Sequence, residues 1–577
     1  MIFNLQTIDK LSQSIINTLK RFPLASFLAF IFTIIIIILM ELDYYQRDSA
    51  IVIMATKIAF VSSLGIILFP TLQLFWSNFL MSIFGILLLL GYYYILPVDI
   101  SSDSNIFVRH AFLILATFLM FIWTPFINVK ISNKNIWEWT QNFILMLLYT
   151  VLFSIILYAG ISLALYAIEQ LFEIDIPSKR YAQLAVLVFG IYGVNLFLSQ
   201  IPKYILLLQV RTYTKAEEIF TKYILTPLTI GYFLILFAYS AKILITMQWP
   251  SGVVVWISIL FSIIAISTYL FWTPLWKKEN IKFKRAIWMA IFLQTIMLGL
   301  SIWMRIDEYG ITESRYFIAL FGSWLILMSF YFVLIKEASY KWFFVTLTIL
   351  LIGSQFGKYS AVEISKKDQI SRLKHMIKDD KFISQQLGIK DKQNIYFTIK
   401  YLYSHHGIDS LSEITPEIIK KYKENNSTIY FPNFVVKELG LGDISSWNND
   451  RYKIFDISQN REVKNISGYQ YLISLHYDSS YKKIYNIDNN ISIKIQNNYL
   501  YIIQNNETTT NISLNEFLKS LNPTTNIYYN QIPAGKMVYK YEDNQSKIKI
   551  LLNSIRVSQD NNITSMDGDI LFSKKIL

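Results

Sequence analysis

The first 357 residues are a succession of apolar runs, and this constrains the chain more than any other feature. A helix needs about 20 mostly apolar residues to cross a bilayer. Inside lipid every backbone amide must find its partner within the protein, so runs of this kind have helices as their foldable outcome. Eleven segments reach or approach the required length, at roughly 24–42, 51–75, 79–97, 107–126, 142–170, 181–200, 221–246, 251–273, 286–304, 314–335 and 342–357. The third follows the second across only Trp76, Ser77 and Asn78, and the eleventh is short. Ahead of the first run, Met1 to Phe22 is polar and carries Lys10, Lys20 and Arg21. Glu41 and Asp43 follow the run with no small-residue cleavage site, so it reads as a retained helix rather than a signal peptide. The expected fold is a polytopic α-helical membrane bundle of about 11 transmembrane helices, followed by a soluble α+β domain.

Composition changes once along the chain. Overall 16% of residues are charged, against about 25% in a soluble globular protein, and the deficit is confined to the part before about Gln355. Beyond Lys358 the chain is rich in Asn, Lys, Ser, Tyr and Ile. The expected division is a transmembrane domain at 1–357, a helical part of an extracytoplasmic domain at 358–427, and a β-rich part at 428–577. There are no cysteines, which excludes disulfides, thiolate catalysis and Cys-ligated zinc. The net charge of +13 is no nucleic-acid signature. About half of it lies in short interhelical loops, and no Arg-rich stripe with interleaved aromatics occurs.

Those loop charges set an orientation. With the N-terminus cytoplasmic, the cytoplasmic loops hold Lys130 and Lys134; Lys203, Arg211, Lys215 and Lys222; Lys277, Lys278, Lys282, Lys284 and Arg285; and Lys336 and Lys341, besides the three N-terminal cations. The opposite loops hold Arg47, Lys179, Arg180 and Arg305 among carboxylates such as Asp43, Asp99, Glu173 and Asp307. Lys and Arg are biased to the cytoplasmic side by about fourfold on this count. An odd number of spans then places the C-terminal domain outside. Trp76, Trp123, Trp249, Trp272, Trp276, Trp303 and Trp342 fall at segment ends, as an interfacial belt should. Residues 201–222 mix apolar and charged groups and read as an amphipathic interfacial helix.

In the C-terminal domain, helical spacing recurs in SRLKHMIKDDKFISQQL, QNIYFTIKYLYSHHG and ITPEIIKKYKE, with Gly407 as a stop. After residue 428 the period changes. ISIKIQNNYLYII alternates about Asn497–Asn498, a hairpin pattern. YQYLISLHY, KMVYKYE, KIKILLNSIRV and DILFSKK also read as strands, interrupted by one helix at SLNEFLKSL.

No Walker loop, GxSxG elbow, HExxH or dinucleotide fingerprint is present. His405 and His406 are adjacent, so on a helix they point about 100° apart and do not readily share a metal; no metal and no cofactor is expected. Ionisable groups inside spans are costly and mark sites by default. Here they are Lys57, Arg109, His110, Glu169 and Lys242, all in the outer half of their helices. Arg305, Asp307, Glu308, Glu313 and Arg315 flank the same face. Together they form a candidate polar crown beneath the exported domain, with Lys57 deepest at roughly 10 Å into its helix. The bland alternative is that the cations snorkel to the interface and the carboxylates pair with them. In YGITESRY, Gly310 turns the chain, Thr312 is placed to cap the tenth helix and Glu313 suits its dipole.

KRFPLASFLAF, FTKYILTPLTIGYFLILFAYSAKIL, QWPSGVVVW and RIDEYGITESRYFIALFGSWL resemble the bacterial membrane family catalogued as domain of unknown function 4153. YLYSHHGIDSL extends the resemblance, which covers roughly residues 10–410; Tyr309 to Tyr316 is its most specific piece. It implies a multi-pass protein of the bacterial inner membrane and brings no catalytic residues. Three functions compete. A non-enzymatic envelope scaffold or sensor would bind an envelope protein or cell-wall partner through the exported domain. A transporter or channel has spans enough, but transporters commonly show internal repeats and broken helices near the midplane; no convincing repeat occurs, the charges lie high rather than central, and Pro227 and Gly160 are only weak hints of broken helices. A membrane-embedded transferase for a lipid-linked substrate would use Glu169, Asp307 and Glu308 as acid or base, with Lys57, Arg109 and Arg305 on phosphate. The bilayer is the one partner common to all three.

Overall fold

The computed structural model describes residues 13–574 apart from 14–15, 43–48, 77, 98–99, 101–103, 206–212, 248–252, 278–279, 379–386, 425–429, 442–451, 458–465, 480–483, 488–489, 497, 506, 522–528 and 559–561. The chain divides into two compact units, Met1–Arg372 and Leu373–Leu577.

In the first unit each of the eleven apolar runs becomes a helix: α1 (Pro23–Glu41), α2 (Ala50–Phe75), α3 (Phe79–Ile95), α4 (Ser104–Trp123), α5 (Asn133–Phe172), α6 (Ser178–Ser199), α7 (Lys215–Thr246), α8 (Val253–Phe271), α9 (Ile281–Tyr309), α10 (Glu313–Leu334) and α11 (Tyr340–Gly353). Among the described residues, eight are long and apolar enough to cross a membrane, while α3, α8 and α11 are shorter apolar helices. Local chemistry fixes several starts. Side-chain oxygens of Ser49, Asn78 and Ser132 accept from first-turn amides of α2, α3 and α5. The expected interfacial helix at 201–222 lies partly outside the described residues. Its far end differs from expectation because Thr214 and Glu217 form a capping box, which makes 215–222 the first turns of α7.

Packing follows the rules of a lipid solvent. Burying an apolar side chain between helices gains little when the tails are equally apolar, so small and polar groups mark the contacts. Helix α1 buries Ala25, Ser26, Ala29 and Thr33, and turns Phe27, Phe30, Ile34 and Ile38 outward. The Ser26 hydroxyl donates to Asn195 Oδ1 at 2.9 Å. Thr229 and Thr268 join α7 to α8 at 2.6 Å, and the Trp123 indole donates to Thr348 at 3.1 Å, joining α4 to α11. Both α6 and α7 contain a π-helical stretch, Val188–Gly193 and Phe220–Leu225. In α6, Gly190 lies against Thr33 of α1 and Gly193 against Ser154 of α5, so a Cβ at either would overlap the facing hydroxyl.

Helix ends meet in two sets. At one end Arg21, ahead of α1, donates to the Ile201 and Pro202 carbonyls just past α6, and Gln73 near the end of α2 donates to the Arg21 carbonyl at 3.0 Å. Lys341 at the start of α11 donates to the Phe126 and Ile127 carbonyls past α4. Thr273 past α8 bonds Tyr340 at 2.8 Å. At the other end Glu41 of α1 meets Lys179 and Arg180 of α6, and Lys57 of α2 meets the Leu96 carbonyl past α3. Starts and ends alternate between the two sets, as a chain that crosses and recrosses requires.

Helix α12 (Ala361–Lys378) leads out of the first unit. The second unit continues with α13 (Ile389–His406), α14 (Pro416–Glu424) and α15 (Phe431–Glu438). Gly407, at φ +72°, ends α13 with its amide on the Tyr403 carbonyl, in line with its expected role as a stop. Ten strands follow: β1 (Tyr452–Ile457), β2 (Tyr471–Asp478), β3 (Ile484–Asn486), β4 (Ile491–Gln496), β5 (Tyr499–Gln504), β6 (Glu507–Ser513), β7 (Tyr529–Ile532), β8 (Val538–Glu542), β9 (Ser546–Ser558) and β10 (Ile563–Lys574), with α16 (Asn515–Leu521) between β6 and β7. One sheet runs β2-β10-β9-β1-β7 with β8 also on β9; the other runs β3-β4-β5-β6. All pairs are antiparallel except β1 with β7. Ile493, Leu500 and Ile512 of the smaller sheet share one core with Leu475, Ile550 and Ile570 of the larger. The expected hairpin is β4–β5, with Asn498 at φ +63°. The Asn498 Oδ1 accepts from the Ile563 amide at 2.7 Å, so the turn residue also tethers the start of β10.

Candidate functional site

Of the ten intramembrane and flanking residues expected to form a crown, three come together around α2, α3 and α4. Lys57 donates to the Leu96 carbonyl at 2.7 Å and lies 5.5 Å from the Tyr93 ring. One turn and a half further along α2, Ser63 meets His110 Nε2 at 2.9 Å, while His110 Nδ1 meets the Tyr92 hydroxyl at 3.0 Å. The imidazole also stacks on Tyr92 and tilts against Phe60. Both ring nitrogens are thus engaged in either tautomer, which suits a bridge between three helices and leaves no lone pair for a metal. Arg109 sits beside it with its Cζ 5.8 Å from the Phe356 ring, and its Nε is buried with no hydrogen-bond partner among the described residues.

The five residues at the end of α9 and start of α10 make a second, different arrangement. The turn between the helices is held by α12. Asp368 Oδ2 accepts from the Ile311 amide at 2.6 Å, and Gln369 donates to the Tyr309 and Ile311 carbonyls at 3.0 Å each. Arg372 donates to the Asp307 carbonyl at 3.2 Å and to the Glu308 carbonyl. Glu313 accepts from the Ser365 hydroxyl at 2.9 Å. Arg315 donates to the Gly310 carbonyl at 2.6 Å and lies over the Tyr309 ring, as does Arg305. Gly310 has φ +72°, and a Cβ there would meet Gln369 Nε2 at 2.5 Å and Asp368 Oδ2 at 2.7 Å. Only glycine serves both the turn and the approach of α12. Thr312 does occupy the cap position of α10, but its side chain makes no capping bond; the neighbouring Ile311 amide is met by Asp368 instead.

Glu169 and Lys242 belong to neither group. Glu169 accepts from the Tyr181 hydroxyl at 3.0 Å, linking α5 to α6. Lys242 is exposed on α7. Sequence reasoning missed Asp368, Gln369 and Arg372 altogether. Their spacing on an amphipathic helix is that of any solvated face, and only the glycine inside YGITESRY hinted at a closely approaching partner.

A bundle of apolar helices with polar groups between them, continued by a β-rich unit, defines a multi-pass membrane protein. The sequence profile of the family described as "Domain of unknown function (DUF4153)" matches residues 34–374, and the chain belongs to that family. The chain is also 23% identical over 426 residues to the "Uncharacterized protein PM1469" of Pasteurella multocida (strain Pm70), an alignment that covers 72% of this chain and 67% of that protein. No solved structure matches.

Proposed function

We propose that this protein is a non-enzymatic scaffold or sensor of the bacterial cytoplasmic membrane, with its N-terminus in the cytoplasm and its C-terminal unit outside, where that unit binds an envelope protein or a cell-wall component. The observation that carries the reading is the clamp of α12 on the α9–α10 turn. Three side chains of α12 satisfy five backbone groups between Asp307 and Ile311. Such a joint holds the start of α12 to the α9–α10 turn, a firm base for a chain that continues into a second unit. The orientation rests on the charges: the cation-rich loops share one set of helix ends, and that is the cytoplasmic set by the positive-inside rule.

The absence of cysteine makes the topology directly measurable. Single cysteines at Lys134 and at Lys540 report access to a membrane-impermeant maleimide in intact spheroplasts. Labelling at Lys540 without permeabilisation, and at Lys134 only after it, is the expected result; the reverse pattern overturns the orientation. Cross-linking in whole cells of the full chain then tests the function. A defined envelope partner should be captured through residues 389–574 and weakened when Gln369 and Arg372 are both alanine. Recovery of none, together with solute movement by the purified protein in liposomes, would replace the scaffold with a transporter.

A further inference from the structure

At the end of the bundle opposite the α12 clamp, a cavity of about 290 Å³ opens between the start of α1, the end of α2 and the start of α3. We infer that this cleft binds the phosphate ester headgroup of an anionic phospholipid. Its polar lining includes Lys20, Arg21, Gln73, Asn78 and Ser82, and no carboxylate lines it among the described residues. Phe69, Leu72 and Met81 supply an apolar floor, and Trp76 and Phe79 on its rim are 61% and 79% exposed. The volume lies at the lower edge of the range for small-molecule sites.

The two cations differ in role. Both Nη atoms of Arg21 are committed to the Ile201 and Pro202 carbonyls, which neutralise none of its charge, so the guanidinium is fixed beside the cleft as a positive wall. Lys20 is exposed at the mouth and its ammonium has no ion-pair partner among the described residues. Asn78 spends its oxygen on the Met81 amide, leaving its NH2 as a donor, and the Ser82 hydroxyl is a second. A tetrahedral phosphate diester offers acceptors for this set, and its glycerol and acyl carbons suit the apolar floor and the aromatic rim. Basic pockets between helices at a bilayer surface hold anionic headgroups by this combination. The inference is independent of the clamp and of which leaflet this end meets.

The test uses the full chain purified in a mild detergent, with native mass spectrometry and lipid extraction after exchange with phosphatidylglycerol or phosphatidylcholine. The expected result is retention of about one phosphatidylglycerol per chain, with phosphatidylcholine retained less. Lys20→Glu, which reverses a charge at an exposed site, should weaken phosphatidylglycerol retention about tenfold, and Ser82→Trp should weaken it by filling the cleft. Monodispersity of both variants on size exclusion guards against misfolding, and millimolar inorganic phosphate should displace nothing. Equal retention in wild type and both variants overturns the site. Displacement of the lipid by inorganic phosphate overturns the lipid and makes this a free-phosphate site.

Discussion

Two adjacent residues of α4 show how differently the bundle treats polar groups. His110 bridges Ser63 and Tyr92, so His110→Ala takes the partner from the buried Tyr92 hydroxyl and leaves Ser63 with its bond to the Phe60 carbonyl. Losing partners for buried hydroxyls costs about 1–3 kcal/mol in proteins generally, and membrane averages are smaller. The expected loss is therefore about 1–2 kcal/mol, read as a lower melting temperature in detergent. Arg109 has a buried Nε with no hydrogen-bond partner among the described residues, so Arg109→Met, which keeps the long stem, should leave stability unchanged or raise it. A loss of stability equal to that of His110→Ala would show that the guanidinium holds the bundle together. Neither role was legible beforehand: sequence marked both as costly charges in a span, and only the three-dimensional neighbours separate a bridging imidazole from a guanidinium set against the Phe356 ring.

At the scale of elements, glycine context decides which helix contacts are tight. Gly190 and Gly160 lie in apolar runs alike, yet a Cβ at Gly190 overlaps the Thr33 hydroxyl, whereas nothing lies within 4 Å of one at Gly160. Gly190→Ala should cost about 1–3 kcal/mol as an overpacked contact, recovered in part by Thr33→Ala; Gly160→Ala should be neutral. Thermal unfolding of these three variants measures this, and equal effects at the two glycines would refute the close α1–α6 approach. Among the described residues eight of the eleven runs are long and apolar enough to cross a membrane, but all eleven were legible as helices from their length and apolarity. So were β2, β4, β5, β8, β9 and β10 within the strands and α16 within the helices, where alternation or helical spacing is strong. The strands β1, β3, β6 and β7 were not. Glu507–Ser513 and Ile484–Asn486 form the two edges of their sheet, where one flank is unpaired and polar side chains such as the Thr508–Thr510 run are tolerated. β7 is a four-residue edge strand whose parallel pairing with β1 joins residues 75 apart in the chain, as in Ile454 with Tyr529, a distance no local pattern encodes.

For the whole molecule, the two units differ in solvent and so in what stabilises them. The second has a continuous core across both sheets built in water, where apolar burial is the driving force. Residues 388–577 should then fold without the bundle, with β-rich circular dichroism and one cooperative transition. An internal reporter exists in the β8–β9 turn. Burial alone would raise the Asp543 carboxyl, but the Ser546 and Gln545 amides, 2.6 and 2.7 Å away, outweigh it and hold it below its usual 3.8. A carboxyl whose folded value is depressed contributes fully above its unfolded value, and that contribution fades as pH falls through the folded one. The fragment should therefore lose stability on acidification below about pH 4, and Asp543→Asn should flatten that part of the profile while lowering the plateau at neutral pH. An unchanged acid limb in Asp543→Asn would remove the turn as its source. Failure of the fragment to unfold cooperatively at neutral pH would mean instead that the bundle is needed to complete its core.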